Sequence, residues 1–147
     1  EEAIEKFMND LPKSYHLILN EAKVYSGLNP NKELNTNTLY CGTFDLLYWY
    51  DGEGDKEKST LIVMDFKTNR SLFSDFSRSQ GKMLYPPFDD LYSESLGIYN
   101  LQLNLYQIPL EDIGLKVGGR KIIWLKDDGT YEKINVPNLT EKLRKVL

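Results

Sequence analysis

The 147-residue chain has one cysteine, Cys41, and one histidine, His16. A lone cysteine excludes an internal disulfide and any zinc or iron–sulfur centre built from four cysteines, and it fits a reducing compartment such as the cytoplasm. Long apolar runs are missing as well. The longest are of the kind Leu46-Leu-Tyr-Trp-Tyr50, Leu61-Ile-Val-Met64 and Ile122-Ile-Trp-Leu125, far short of the 18 or so residues a membrane helix needs. No charged-then-apolar leader is visible, so no secretion signal is expected. The chain opens at Glu1 without Met, as expected of a processed or excised piece of something longer. There is no internal repeat and no low-complexity stretch. An excess of basic charge is also missing: the net charge is −4, whereas nucleic-acid binders are usually basic. That objection is not decisive, because a site that clusters carboxylates around metal ions lowers net charge while acting on a polyanion. Locally, Lys67, Arg70, Arg78 and Lys82 face only one acid, Asp75.

What is present reads as one α/β (α+β) domain over 1–147. Ile4, Phe7, Met8 and Leu11 have helical spacing, so 1–11 is a short helix stopped by Pro12. Residues 15–25 read as a strand ending near Gly27 and Asn29-Pro30. Residues 38–50 and 59–67 read as two more, joined by the turn Asp51-Gly-Glu-Gly54, in an antiparallel meander. The stretch 68–94 is irregular, a length of connection usually reserved for function. A helix is predicted over 95–107, with Ile98, Leu101, Leu105 and Ile108 on its apolar face, kinked or restarted by Pro109. Strands over 120–126 and 131–136 flank the hairpin turn Asp127-Asp128-Gly129. Asn138 and Glu141 form a capping box for a last helix over 139–147, whose Lys142-Leu-Arg-Lys145 stretch reads as a solvated face.

Two apolar strands carry acids unsuited to a core. Asp45 sits in Gly42-Thr-Phe-Asp45, and Asp65 in Asp65-Phe-Lys67. Aspartate is depleted in strands and rarely buried unless paired or bound to metal. Two such carboxylates on neighbouring strands meet at one rim of a sheet and can chelate a hard cation such as Mg²⁺. Lys67, two residues after Asp65, points to the same face and can stabilise charge on a phosphate oxygen. Taken singly, an Asp near a strand end is more often a turn former, and Asp-x-Lys a surface ion pair. On the later helix Tyr99, Gln102 and Tyr106 share one face, which by itself is commonplace.

Together, Glu21, Gly42-x-x-Asp45, Asp65-x-Lys67 and Gln102-x-x-x-Tyr106 resemble, in order and rough spacing, the PD-(D/E)XK nucleases. The RecB-type and phage exonuclease-like branch, with its trailing Gln-x-x-x-Tyr, is the most similar. Tyr99-Asn-Leu-Gln-Leu-Asn-Leu-Tyr106 and Met83-Leu-Tyr-Pro-Pro-Phe88 look like the corresponding helix and the segment ahead of it. The resemblance spans 15 to about 136. It implies a restriction-endonuclease-like central mixed sheet flanked by helices, and a metal-dependent DNase, expected to be an exonuclease of recombination, repair or phage DNA processing. Asp45 and Asp65 would be metal ligands, joined by the Phe66 backbone carbonyl and by Glu21 as an upstream acid. Lys67 would be the catalytic lysine. Gln102, Tyr106, Tyr99 and Arg70 would contact DNA, and the cofactor would be Mg²⁺ or Mn²⁺. His16 is an alternative to Glu21, less favoured because their odd separation puts them on opposite strand faces. The expected location is the cytoplasm, the host's if phage-encoded. The four-cysteine iron–sulfur variant of the family is excluded, and the helices usual before the first strand are reduced to 1–11.

Phe73, Phe76 and Tyr85, with Arg70, Arg78 and Lys82, make 68–94 a candidate border of the DNA path; a lid or a disordered loop is the alternative. Two further readings compete with a nuclease. One is a nuclease-like scaffold that docks a helicase or recombination protein, which suits the small size and acidic balance. The other is Cys41–His16 catalysis, for which no sequence context exists.

Overall fold

Alternating apolar residues and well-placed turns account for most of the elements in the computed structural model, which describes residues 1–27 and 39–147. Helix α1 (Glu2–Asp10) leads into strands β1 (Tyr15–Tyr25), β2 (Cys41–Tyr50) and β3 (Thr60–Lys67). A short helix α2 (Asp75–Ser79) and a long helix α3 (Ser95–Asp112) follow. Strands β4 (Val117–Leu125) and β5 (Tyr131–Asn135) and helix α4 (Thr140–Val146) complete the order. The five strands form one sheet in sequence order, antiparallel except for the parallel pair β3/β4. A parallel pair needs a crossover, and the connection containing α2 and α3 supplies it. The result is an α+β mixed sheet flanked by helices. No helix among the described residues is long and apolar enough to cross a membrane.

Each face of the sheet has its own core. Phe7 of α1 packs with Leu46, Tyr48, Ile62, Met64 and Ile123 on one face. On the other, Leu103 and Leu110 of α3 pack with Val24, Phe44, Val63 and Ile122. Helix α4 lies outside α3, joined to it through Ile108, Leu143 and Phe88.

Several expectations are corrected. The 68–94 stretch is not wholly irregular: it contains α2, whose first turn is capped by the Ser74 hydroxyl accepting from the Ser77 N–H, and a bridge between Met83 and Tyr92. Strand β2 starts at Cys41 and β4 at Val117. The Asn29-Pro30 turn and residue 38 lie outside the described residues. Helix α3 runs through Pro109 to Asp112 as one element. Proline at 109 has no N–H for the Leu105 carbonyl, and a buried carbonyl left unpaired costs about 1–3 kcal/mol. The Tyr40 phenol donates to that carbonyl at 2.7 Å and fills the vacancy. Burial is the main cause that pushes this phenol up to about 12, with Asp112 adding to it.

The apolar face of α3 is also not the predicted one. Ile98 is exposed, and Leu101, Leu105 and Ile108 pack toward α4. The stripe against the sheet is Leu96, Tyr99, Leu103, Tyr106 and Leu110. α3 is buried on two sides, which is why polar residues on it are buried too. Asn104 illustrates this: its amide donates to the carbonyls of Asn100 and Pro137 and its oxygen accepts from the Leu139 N–H. That contact anchors the start of α4. Asn138 accepts from the Thr140 N–H and hydroxyl, but the N-cap is Leu139 with no side-chain cap bond, and Glu141 is exposed beside Lys145, so the capping box does not form. Lys142 is not free on a solvated face either; it reaches Asp90 at 3.3 Å.

Candidate functional site

The ladder between β2 and β3 runs from Tyr50↔Thr60 to Leu46↔Met64 and stops there. Beyond it, β2 continues against β1 and β3 against β4. Backbone groups in the opening gap must find other partners, and the two aspartates provide them. Asp65 Oδ1 accepts from the Asp45 N–H at 3.1 Å, and Asp45 Oδ2 accepts from the Phe66 N–H at 2.7 Å. Each carboxylate therefore replaces a lost ladder bond, and the interlock holds both at the rim where the strands part.

The strands also turn over here. Phe44 packs on the α3 face and Leu46 on the α1 face, although residues two apart in a regular strand share a face. On β1, Asn20 pairs with Leu46 and Ala22 with Phe44, leaving Glu21 opposite Asp45. Glu21 has φ 52°, a left-handed backbone uncommon for a residue with a side chain. That twist lets β1 follow the change of face in β2. The Glu21 side chain is exposed, and among the described residues no three His, Cys, Asp or Glu side chains converge as a metal shell. The structure thus brings Asp45 and Asp65 together and leaves Glu21 one strand away.

Lys67 completes the cluster. Its ammonium is 2.9 Å from Asp65 Oδ2, donates to Gln102 Oε1 at 3.2 Å, and lies 4.0 Å from the centre of the Tyr99 ring. The Tyr99 hydroxyl in turn donates to Asn69 Oδ1 at 3.2 Å. Tyr106, one turn beyond Gln102, stacks on Phe44 with ring centres 6.0 Å apart. All three predicted α3 residues therefore face the acids.

Asp65 is buried, and burial, reinforced by its hydrogen bond with the Asp45 carboxyl, pushes its pKa from 3.8 to about 6; Lys67 pulls the other way. Burial, then the Asp65 charge, also raises the Tyr106 phenol. Two adjacent carboxylates that resist sharing negative charge form a donor set short of one cation. This fits an ion such as Mg²⁺, which is usually held by one or two carboxylates and keeps several waters.

Glycine is required at position 42 by close approach, since a Cβ there would overlap the Tyr106 ring. Gly42→Ala is expected to destabilise the fold by about 1–3 kcal/mol. Combined with Tyr106→Ala, which empties that space, it should cost much less than the sum of the two changes in urea unfolding.

His16 and Cys41 are not in the site. His16 pairs with Trp49 on β2 and its Nε2 lies 2.8 Å from Asp51 Oδ2. Four residues of strand separate Trp49 from Asp45, about 14 Å. Cys41 pairs with Tyr25 at the other end of the β1/β2 ribbon, so no Cys–His pair forms. Arg78 is not free to meet a phosphate: it binds the buried Glu94 through two bonds of 3.0 and 2.7 Å and lies over Phe73 and Tyr92. Arg70 and Lys82 are exposed, as are Phe73, Phe76 and Tyr85. Sequence reasoning missed Asn69 and Trp124, which connect to the cluster through Tyr99. A long crossover after β3 implies a parallel neighbour, but the register that sets Trp124 beside Lys67 comes only from the structure.

The chain matches no protein-family model, and comparison with curated proteins gives no match either.

Proposed function

We propose that the protein is a metal-dependent nuclease of the PD-(D/E)XK type that hydrolyses DNA phosphodiester bonds. The observation that carries this is the interlocked Asp45–Asp65 pair with Lys67 and Gln102 at the opening of β2 and β3. Asp45, Asp65 and the Phe66 carbonyl would hold Mg²⁺ or Mn²⁺, which when bound supplies an activated water and neutralises charge on the phosphate. Glu21 is the candidate for a further, water-mediated contact from β1. Lys67 provides a fixed positive charge for the phosphate oxygen, oriented by Gln102 and the Tyr99 ring. Tyr99, Gln102 and Tyr106 form the wall against which the strand lies. The test is degradation of labelled DNA with Mg²⁺ or Mn²⁺ and its protection by EDTA; DNA left intact under all these conditions would count against the proposal.

Phe73, Phe76 and Tyr85 support a DNA path along 68–94, with the exposed Arg70 and Lys82 as its cations. Arg70→Glu with Lys82→Glu is expected to weaken DNA binding and lower the slope of log K against log salt by up to about two units. Fluorescence anisotropy across a salt series measures this. Arg78→Glu should instead lower thermal stability, because it strands the buried Glu94 carboxylate.

A further inference from the structure

A cleft of about 590 Å³ opens at the C-terminal ends of β3 and β4, between Asn69, Arg70, Trp124 and Lys126. This is the end of adjacent parallel strands where open α/β sheets take ligands, and the volume is that of a small-molecule site. It shares a wall with the reactive cluster. Trp124 is the ladder neighbour of Lys67, and its indole N–H donates to the Asn69 carbonyl at 2.7 Å, while the Asn69 side chain accepts from Tyr99.

We infer that this cleft holds one unpaired nucleotide next to the scissile phosphate, its base on Trp124 and its phosphate on Arg70 and Lys126, an inference that rests on the nuclease reading above. The floor suits a base because it is a flat indole fixed in place by Asn69 and by the edge-on Phe73 ring, 6.0 Å away. The indole is covered by the Lys126 ammonium, 4.7 Å from the ring and shared with Glu132 at 3.2 Å. Such an exposed cation–π contact is weaker than a base–indole stack, so a base displaces the lysine and frees its charge for phosphate. Arg70 has no ion-pair partner among the described residues and stands at the rim. Two acids also line the cleft. Asp128 is committed to its own turn by accepting from the Thr130 N–H and hydroxyl; Asp127 is exposed. A base that enters must leave its helical stack and its pairing partner, so the favoured substrate is a single strand or a frayed end.

The chain has two tryptophans, and Trp49 lies far from the cleft beside His16, so Trp49→Phe leaves Trp124 as the sole indole reporter. Short oligothymidylate added in EDTA should quench its emission saturably. Arg70→Glu in that background should weaken binding about three- to tenfold. A blunt hairpin duplex should bind without quenching, and thymidine monophosphate at equal concentration should not quench. Oligothymidylate bound by anisotropy without quenching, absence of any binding, unchanged affinity in Arg70→Glu, or equal quenching by duplex or mononucleotide would each overturn the cleft assignment. Metal-dependent DNA cleavage alongside any of these results would leave the nuclease standing; quenching as expected without cleavage would keep the cleft and discard the nuclease.

Discussion

Asp65→Asn is expected to bring DNA cleavage below detection and at the same time to raise the melting temperature at neutral pH. Activity is lost because half of the carboxylate donor set disappears with the charge. Stability rises because the folded chain holds Asp65 in a setting that penalises its ionised form, with the pKa pushed from 3.8 to about 6. The fold therefore binds this proton more tightly than the unfolded chain does, and the ionised side chain costs stability. That cost is absent below the unfolded pKa, grows as pH rises from about 4 to 6, and is complete above. With the Lys67 ion pair lost in the variant, the net gain is about 1 kcal/mol, or about 3 °C at neutral pH. Melting curves of wild type and variant should coincide near pH 3.5 and separate by pH 7.5, and Mn²⁺ should raise the wild-type midpoint but not the variant's. A variant that melts lower than wild type at pH 7.5 would mean that Asp65 serves the fold and is not held for a cation.

Lys67→Ala is expected to lower the cleavage rate by about 10²–10³, the usual loss when one positioned charge stabiliser is removed. Its side chain is only 16 % exposed and has three fixed neighbours, so the ammonium is held at one place beside the carboxylates. DNA affinity should change little, because one cation of several in the path is removed. Lys145→Ala, at an exposed position on α4, is the control that should leave the rate unaltered. Single-turnover cleavage with saturating enzyme separates this loss in the chemical step from a loss in binding.

Much of this site was legible because its parts violate strand composition. Aspartate in an apolar strand, at Asp45 and again at Asp65, has few stable explanations, and the two-residue period fixes Lys67 to the face of Asp65. Helical spacing brought Tyr99, Gln102 and Tyr106 to one face. Strand β1 and the β2–β3 meander followed from turn residues and apolar density. Pairing register was not legible, because it depends on where the ladder opens, and that is set by side-chain carboxylates replacing backbone partners. Helix α3 was misjudged for a related reason. Its sheet-facing stripe includes two tyrosines, and its buried flank carries Asn100, Asn104 and Gln107, so burial on two sides erases the amphipathic pattern. Its passage through Pro109 depends on Tyr40, 65 residues before the Leu105 carbonyl it bonds, and local rules cannot see such a partner. Arg78 looked like a phosphate contact because its partner Glu94 is distant in sequence.

Cleavage of end-labelled DNA by wild type and Lys67→Ala, in Mn²⁺ and in EDTA, tests the nuclease assignment most directly. Wild type should degrade the DNA in Mn²⁺ and spare it in EDTA, with Lys67→Ala slower by about 10²–10³ and Lys145→Ala as fast as wild type. Equal rates for Lys67→Ala and Lys145→Ala, or DNA untouched by wild type in Mn²⁺, would contradict the assignment and favour a nuclease-like scaffold.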